Sequence, residues 1–239
     1  MNKKIKMALY IILALIIFVG CISIWYVNNY SHADASANAL LNGTENVSVE
    51  KVDNGLFLDG PGNDSALIFY PGAKIEYTAY LPLFMDLAND GVDCFIVEMP
   101  GKLAFLGGNS ADSIIGNGNY SYDEWYISGH SLGGVMASSY AVTHKDEIDG
   151  LILLASYPVD DLGNMPVLSI YGSKDNTLNK ETYDESKSLM DDNLTEYVIN
   201  GGNHAQFGSY GIQSGDGIAS ISPEDQRDQT EKAILDFIY

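Results

Sequence analysis

A doubly wound, mainly parallel α/β sheet is the fold class predicted by this 239-residue sequence, on three observations. Short, nearly continuous apolar runs recur at 67–70, 94–97, 125–128, 151–155, 167–171 and 197–199, rich in β-branched and aromatic residues and bounded by Gly, Pro or Asp. Strands covered on both faces have this pattern. Helix-like stretches at 77–89, 132–145, 181–190 and 223–238 separate most of the runs. Strand alternating with helix implies parallel strands with helices on both faces. The composition agrees, because 46% apolar and only 18% charged residues can build a large core.

The chain begins with Lys3, Lys4 and Lys6, followed by an uncharged run over 7–27. As a helix this run spans about 31 Å, enough to cross a bilayer core. Trp25 and Tyr26 close it, where an aromatic belt lies. Segment 1–28 is therefore expected to be a signal anchor, a single pass through the cell membrane with the rest of the chain outside. Two alternatives stay open. Ala33-Asp34-Ala35 and Ala35-Ser36-Ala37 both fit signal-peptide cleavage, which would give a secreted protein. A lipoprotein cut before Cys21 is the other, although Phe18-Val19-Gly20 matches that signal poorly.

Residues 29–45 are small and polar and read as a linker, with His32 inert within it. The folded domain is expected over 46–239. Its first feature is a hairpin: Val47, Val49 and Val52 lead into Asp53-Asn54-Gly55, and Leu56-Phe57-Leu58 follow. The strand–helix alternation starts after it. The last helix has Ser222 as N-cap and Pro223 at its first position. The segment 207–222, rich in Gly and Ser, reads as a loop, and Asp191-Asp192 as a solvated helix end.

The net charge of −20, with basic residues mostly scattered singly, excludes a nucleic-acid surface and disfavours binding to anionic lipid. The two cysteines, Cys21 and Cys94, are placed too differently to pair. Phosphate-loop, zinc and His-Glu-x-x-His spacings are missing, and Gly215-Asp216-Gly217 lacks the carboxylate series of a calcium loop. No metal or cofactor is expected.

One constellation carries chemistry. The run at 125–128 leads directly into Gly129-His130-Ser131-Leu132-Gly133-Gly134, and a helix pattern follows at once. This is Gly-x-Ser-x-Gly in the strand–turn–helix setting that presents a serine oxygen at the carboxyl edge of a sheet. A serine hydroxyl needs a base. Of the four histidines, His32 lies in the linker, His130 is expected to point elsewhere, and His144 ends a helix. His204, in Asn200-Gly201-Gly202-Asn203-His204 just past the last strand, is the expected base. The base needs an acid to hold its tautomer. Asp175, in the loop after strand 167–171, is expected there, with Asp160 and Asp161 as rivals. The order Ser131, Asp175, His204 is one that such hydrolases use. Oxyanion donors are expected at the Leu132 N–H and at the Ala73 N–H in Pro71-Gly72-Ala73-Lys74, with Lys74 as rival.

Over about 46–239 the sequence resembles the α/β-hydrolase superfamily: GHSLGG, YGSKD and GGNH match in order and context. It is similar to the small, dienelactone-hydrolase-like branch. MPGKLAFLGG and GGNHAQFGSYGIQSGDG also resemble a bacterial and archaeal hydrolase subgroup. Dienelactone hydrolases use cysteine as nucleophile, whereas this chain has Ser131, so the resemblance favours ester chemistry. Only 157–165 joins two strands where larger relatives insert a cap domain. The resemblance therefore implies an α/β-hydrolase fold without a large cap, with an open site partly covered by the loop from His204 to Ser222. The expected activity is hydrolysis of a small acyl ester through an acyl-enzyme, with no protein partner. An acyltransferase, a thioesterase, a peptidase or a non-catalytic binding module on the same scaffold are the alternatives.

Overall fold

The computed structural model describes residues 2–62, 64–190 and 193–239. Asp191 and Asp192 lie outside the described residues. The chain forms two compact units, one ending at Tyr30 and one running from Ser31 to Tyr239. The first is helix α1 (Lys3–Asn28), whose Asn2 N-cap accepts from the Lys4 N–H. It is long and apolar enough to cross a membrane and none of it is buried, so it is a candidate transmembrane helix.

The second unit departs from expectation at its start. The stretch read as a linker is built into the globular unit from Ser31 onward. Ser31 bridges to Ile75, and the Asp34 N–H donates to the Ser209 carbonyl. Asp34 caps a short helix, α2 (Ala35–Ala39), through the Ser36 and Ala37 N–H groups, and Ala37 is fully buried. Small residues suit a linker by composition, but here an N-cap and alanines compact enough to pack make a helical turn. His32, expected to be inert, sits 3.3 Å from the Glu76 carboxylate.

The predicted hairpin is strands β1 (Ser48–Val52) and β2 (Gly55–Asp59), antiparallel. Then come β3 (Ser65–Tyr70), α3 (Leu81–Asn89), β4 (Val92–Val97), a short α4 (Asp112–Ile115), β5 (Glu124–His130) and α5 (Leu132–Thr143). The chain continues through β6 (Gly150–Leu154), β7 (Val167–Gly172), α6 (Lys180–Ser186), β8 (Leu194–Ile199) and α7 (Pro223–Ile238). A 3₁₀ turn at Tyr77–Tyr80 precedes α3, whose Pro82 sits in its first turn, where a missing N–H costs nothing. The capping box of Ser222 and Asp225 starts α7 where the sequence places it.

The sheet order is β1-β2-β4-β3-β5-β6-β7-β8. β2 joins β4 antiparallel, and the pairs from β4 to β8 are all parallel. Side chains alternate between two buried layers, as a sheet covered on both faces requires. Leu67 and Phe69 of β3 pack with α3 and α7, while Ala66, Ile68 and Tyr70 pack with α5. Ile152 and Leu154 of β6 face the first layer, Leu151 and Leu153 the second. β8 differs, since only Ile199 is buried along this edge strand. The chain steps from β3 out to β4 and returns on the other side as β5. The order thus reverses at the β3–β5 pair, where ligands bind in open α/β sheets.

Candidate active site

Ser131 stands between β5 and α5 with φ +53° and ψ −125°, a conformation that costs a non-glycine residue energy and persists only where the surroundings enforce it. The enforcement is visible. The Ser131 N–H donates to Leu154 O at 3.0 Å, and the Ser156 hydroxyl donates to Ser131 O at 2.7 Å. Behind the turn, α5 lies so close to the end of β3 that a Cβ at Gly133 would collide with the carbonyls of Tyr70 and Pro71.

That close approach brings the loop after β3 beside the N-terminus of α5. The Lys74 N–H is already engaged, donating to Lys102 O at 2.7 Å. The N–H groups of Ala73 and Leu132 have no such partner among the described residues. Lys74, the rival oxyanion donor, is thus committed elsewhere.

Asp175 follows β7 and is buried. Its Oδ1 accepts the N–H groups of Thr177 and Leu178, each at 2.8 Å. Its Oδ2 accepts from Nδ1 of His204 at 2.8 Å. A carboxylate held this way fixes the imidazole with its proton on Nδ1 and leaves Nε2 as the acceptor. Nε2 is buried and has no hydrogen-bond partner among the described residues. The rival carboxylates, Asp160 and Asp161, are exposed, and Asp161 accepts the Gly163 N–H instead. Ser131 and His204 both line a cavity of about 240 Å³, walled by Leu132, Val135, Tyr157 and Leu178. The structure therefore brings Ser131, His204 and Leu132 to one cavity and hydrogen-bonds Asp175 to His204. Among the described residues no cluster of His, Cys, Asp and Glu is arranged to hold a metal.

The alpha/beta hydrolase family model matches residues 66–228. The chain belongs to the alpha/beta hydrolase family. Solved alpha/beta hydrolase structures share the fold at low identity. Est1E from Butyrivibrio proteoclasticus is 15% identical, with 81% of this chain and 99% of that one covered at a TM-score of 0.58. Dienelactone hydrolase from Anabaena variabilis is 11% identical, covering 81% and 99%, at 0.62. A thermophilic esterase from Thermogutta terrifontis is 16% identical, covering 80% and 93%, at 0.54. No curated protein matches the chain. Family membership supports a hydrolase.

Other residues of this alpha/beta hydrolase site are not apparent from sequence motifs. Asp216 clasps two loops together: Oδ1 accepts the N–H groups of Asn176 and Gly217, and Oδ2 accepts the Ala205 N–H at 2.9 Å. The fully buried Gln226 of α7 pairs with the main chain of Asn203, accepting its N–H at 2.9 Å and donating to its carbonyl at 2.8 Å. His130, expected to point elsewhere, is fully buried with its ring 4.5 Å from that of His204. The GHSLGG motif names the residue but not its neighbour. Burial, and then the nearby His204, hold His130 far below the usual histidine range, so it is neutral. His144 caps α5, its ring stacked on Tyr140 at 3.9 Å. The loop expected as a partial cover takes another role, because no residue of 205–222 lines the cavity.

Proposed function

We propose that the protein is a serine hydrolase that cleaves carboxylic esters through an acyl-enzyme on Ser131. The observation that carries this reading is the strained Ser131 lining one cavity with His204, whose Nδ1 is held by the buried Asp175. Ser131 Oγ attacks the acyl carbon while His204 Nε2 takes its proton. Asp175 stabilises the imidazolium that forms. The N–H groups of Leu132 and Ala73 receive the negative charge that develops on the acyl oxygen. His204 then protonates the leaving alkoxide. Water repeats the sequence in the deacylation half, with His204 as base, and releases the acid and Ser131.

The cavity walls of Val135, Leu178 and Tyr157 suit an acyl chain, and its 240 Å³ is small for a ligand pocket, which favours short acyl groups. Helix α1 serves as a membrane anchor in this reading, with Lys3, Lys4 and Lys6 on the cytoplasmic side and the hydrolase unit outside. Immunoblots of membrane and medium fractions test the anchor. A shortened protein found only in the medium refutes it.

The chemistry is tested by labelling the full chain, in detergent, with a fluorophosphonate probe beside Ser131→Ala and His204→Ala. Labelling of wild type that vanishes in both variants is expected. A folded wild-type protein that does not label refutes an activated serine.

A further inference from the structure

The proposed mechanism leaves one buried titratable side chain beside the base unused, His130. Its Nδ1 lies 2.8 Å from the hydroxyl of Tyr80, and both residues are fully buried. The same hydroxyl receives the Gly72 N–H at 3.1 Å. Gly72 precedes Ala73 in the loop assigned to the oxyanion. A Cβ at Gly72 would stand 2.9 Å from His130 Nδ1 and 3.1 Å from the Tyr80 hydroxyl, so the loop backbone rests directly on this pair.

The hydrogen bonds have one direction that satisfies Tyr80. An amide N–H only donates, so the Tyr80 oxygen accepts from Gly72. Its own proton then needs an acceptor, and Nδ1 of a neutral His130 is the one within reach. With the proton of His130 on Nδ1 instead, both the Tyr80 hydroxyl proton and the Nε2 lone pair would be buried without partners, whereas the assigned tautomer leaves only the Nε2–H without one among the described residues. Burial keeps His130 neutral, as this assignment requires. The chain of bonds runs from the Gly72 N–H through Tyr80 to His130, whose ring packs on His204 at 4.5 Å. Tyr80 is itself wedged against Phe69 of β3 and Tyr210 of the histidine loop.

We propose that His130 is a positioning residue: through Tyr80 it ties the His204 imidazole to the oxyanion loop, so that base and oxyanion donor hold a common register. The proposal rests on the serine hydrolase reading above. It explains why a histidine stands before the nucleophile without touching the reaction. A carboxylate–imidazole pair is fixed along one direction by Asp175, and the ring of His130 supplies a second contact. Neutrality matters to this role, because a cation against His204 would oppose the imidazolium formed during acylation.

Steady-state kinetics on p-nitrophenyl butyrate with the full chain in detergent test the tie, using Tyr80→Phe, His130→Leu, His130→Asn and the double variant Tyr80→Phe/His130→Leu. Tyr80→Phe keeps the ring and removes only the hydroxyl. His130→Leu removes the acceptor, whereas the Oδ1 of Asn takes the place of Nδ1. Tyr80→Phe and His130→Leu are each expected to lower kcat about tenfold, the scale of one lost buried hydrogen bond, with KM nearly unchanged. The double variant falls no lower than the poorer single, because both changes cut one connection. His130→Asn keeps an acceptor for Tyr80 but loses the ring that packs on His204, so it is expected to fall as His130→Leu does. Losses that multiply in the double variant, an unaffected Tyr80→Phe, or His130→Asn as active as wild type would each overturn the tie. Fluorophosphonate labelling of wild type separates the readings. A labelled wild type with unaffected variants overturns the tie alone, and an unlabelled one overturns the hydrolase reading and the tie with it.

Discussion

Replacing Asp216 by asparagine swaps one carboxylate oxygen for an NH₂ group at almost constant volume. Both oxygens of Asp216 are acceptors, facing main-chain N–H groups on opposite sides: Asn176 at 3.3 Å and Gly217 at 2.7 Å on one, Ala205 at 2.9 Å on the other. An asparagine side chain satisfies one side and sets an NH₂ donor against an N–H donor on the other. Asn176 adjoins Asp175 and Ala205 adjoins His204, so whichever side is lost, one end of the Asp175–His204 pair is released. A hydrogen bond to a charged acceptor contributes about 1.5–3 kcal/mol, and Asp216 is only half-buried, so we expect a loss of about 1–2 kcal/mol. In a unit of this size that lowers Tm by roughly 3–6 °C. Displacing a catalytic group by about 1 Å costs up to 100-fold in rate, so kcat should fall at least about tenfold. Thermal melts and ester kinetics on Asp216→Asn, with the exposed Asp160→Asn as control, provide the check. A lowered Tm with unchanged kcat would refute the reasoning, since it would mean that Asp216 holds the loops together without aligning the site.

Gly134→Ala places a Cβ 2.5 Å from the Ser156 side chain and 2.7 Å from Gly129 O, so urea denaturation should show a loss of about 1–3 kcal/mol and fluorophosphonate labelling of Ser131 should fall. Burial, with Asp86, Asp90 and Asp228 nearby, raises the Glu231 carboxyl to about 7. Its folded-state value thus exceeds its unfolded one, and its contribution to stability is present below about pH 4.5 and lost as pH rises through 7. Glu231→Gln should therefore melt higher than wild type at pH 8, with the difference vanishing near pH 4; an equal gain at both pH values would refute the assignment. Turnover of p-nitrophenyl esters should peak at short acyl chains, and a rise well beyond about eight carbons would contradict a 240 Å³ cavity.

What the sequence makes legible is local chemistry in a strand–helix context. The alternation of apolar runs and helical stretches is enough for the parallel sheet, and GHSLGG, YGSKD and GGNH locate three loops at its carboxyl edge, because each follows a strand immediately. Residues whose role depends on distant partners are not legible. Gln226 lies 23 positions from Asn203, and Ser156 lies 25 from the carbonyl that it holds. Nothing in a helix sequence such as PEDQRDQTEK marks the glutamine as the group that satisfies a loop main chain. The 29–45 stretch misleads for a related reason. Small polar residues suit a linker, and the bridge of Ser31 to Ile75, the Asp34 N–H bond to the Ser209 carbonyl and the burial of Ala37 show that it packs.

The segment 207–222 illustrates how a site without a cap domain can be held rigid. By sequence it reads as a loop over the site, yet no residue of it reaches the cavity. The contacts of its second half go to the loops that carry His204 and Asp175 instead. Ser220 N–H donates to Gly201 O, Gly217 O accepts from the Asn203 side chain, and Asp216 joins Ala205 to Asn176. Within the segment Ile212 and Ile218 are 99% and 91% exposed. A lid would be weakly bound at its ends and would bury apolar side chains over the substrate. This segment has the opposite pattern: Phe207 and Tyr210 are buried in the core beneath it, and Ile212 and Ile218 turn to solvent. It braces the histidine loop against the acid loop from the side. That work falls to it because the short 157–165 connection contributes only Tyr157 to the cavity wall. Access to Ser131 is therefore set by the cavity itself, and changes at Ile212 or Ile218 should leave kcat and KM for short esters unaltered, whereas changes at Asp216 should not.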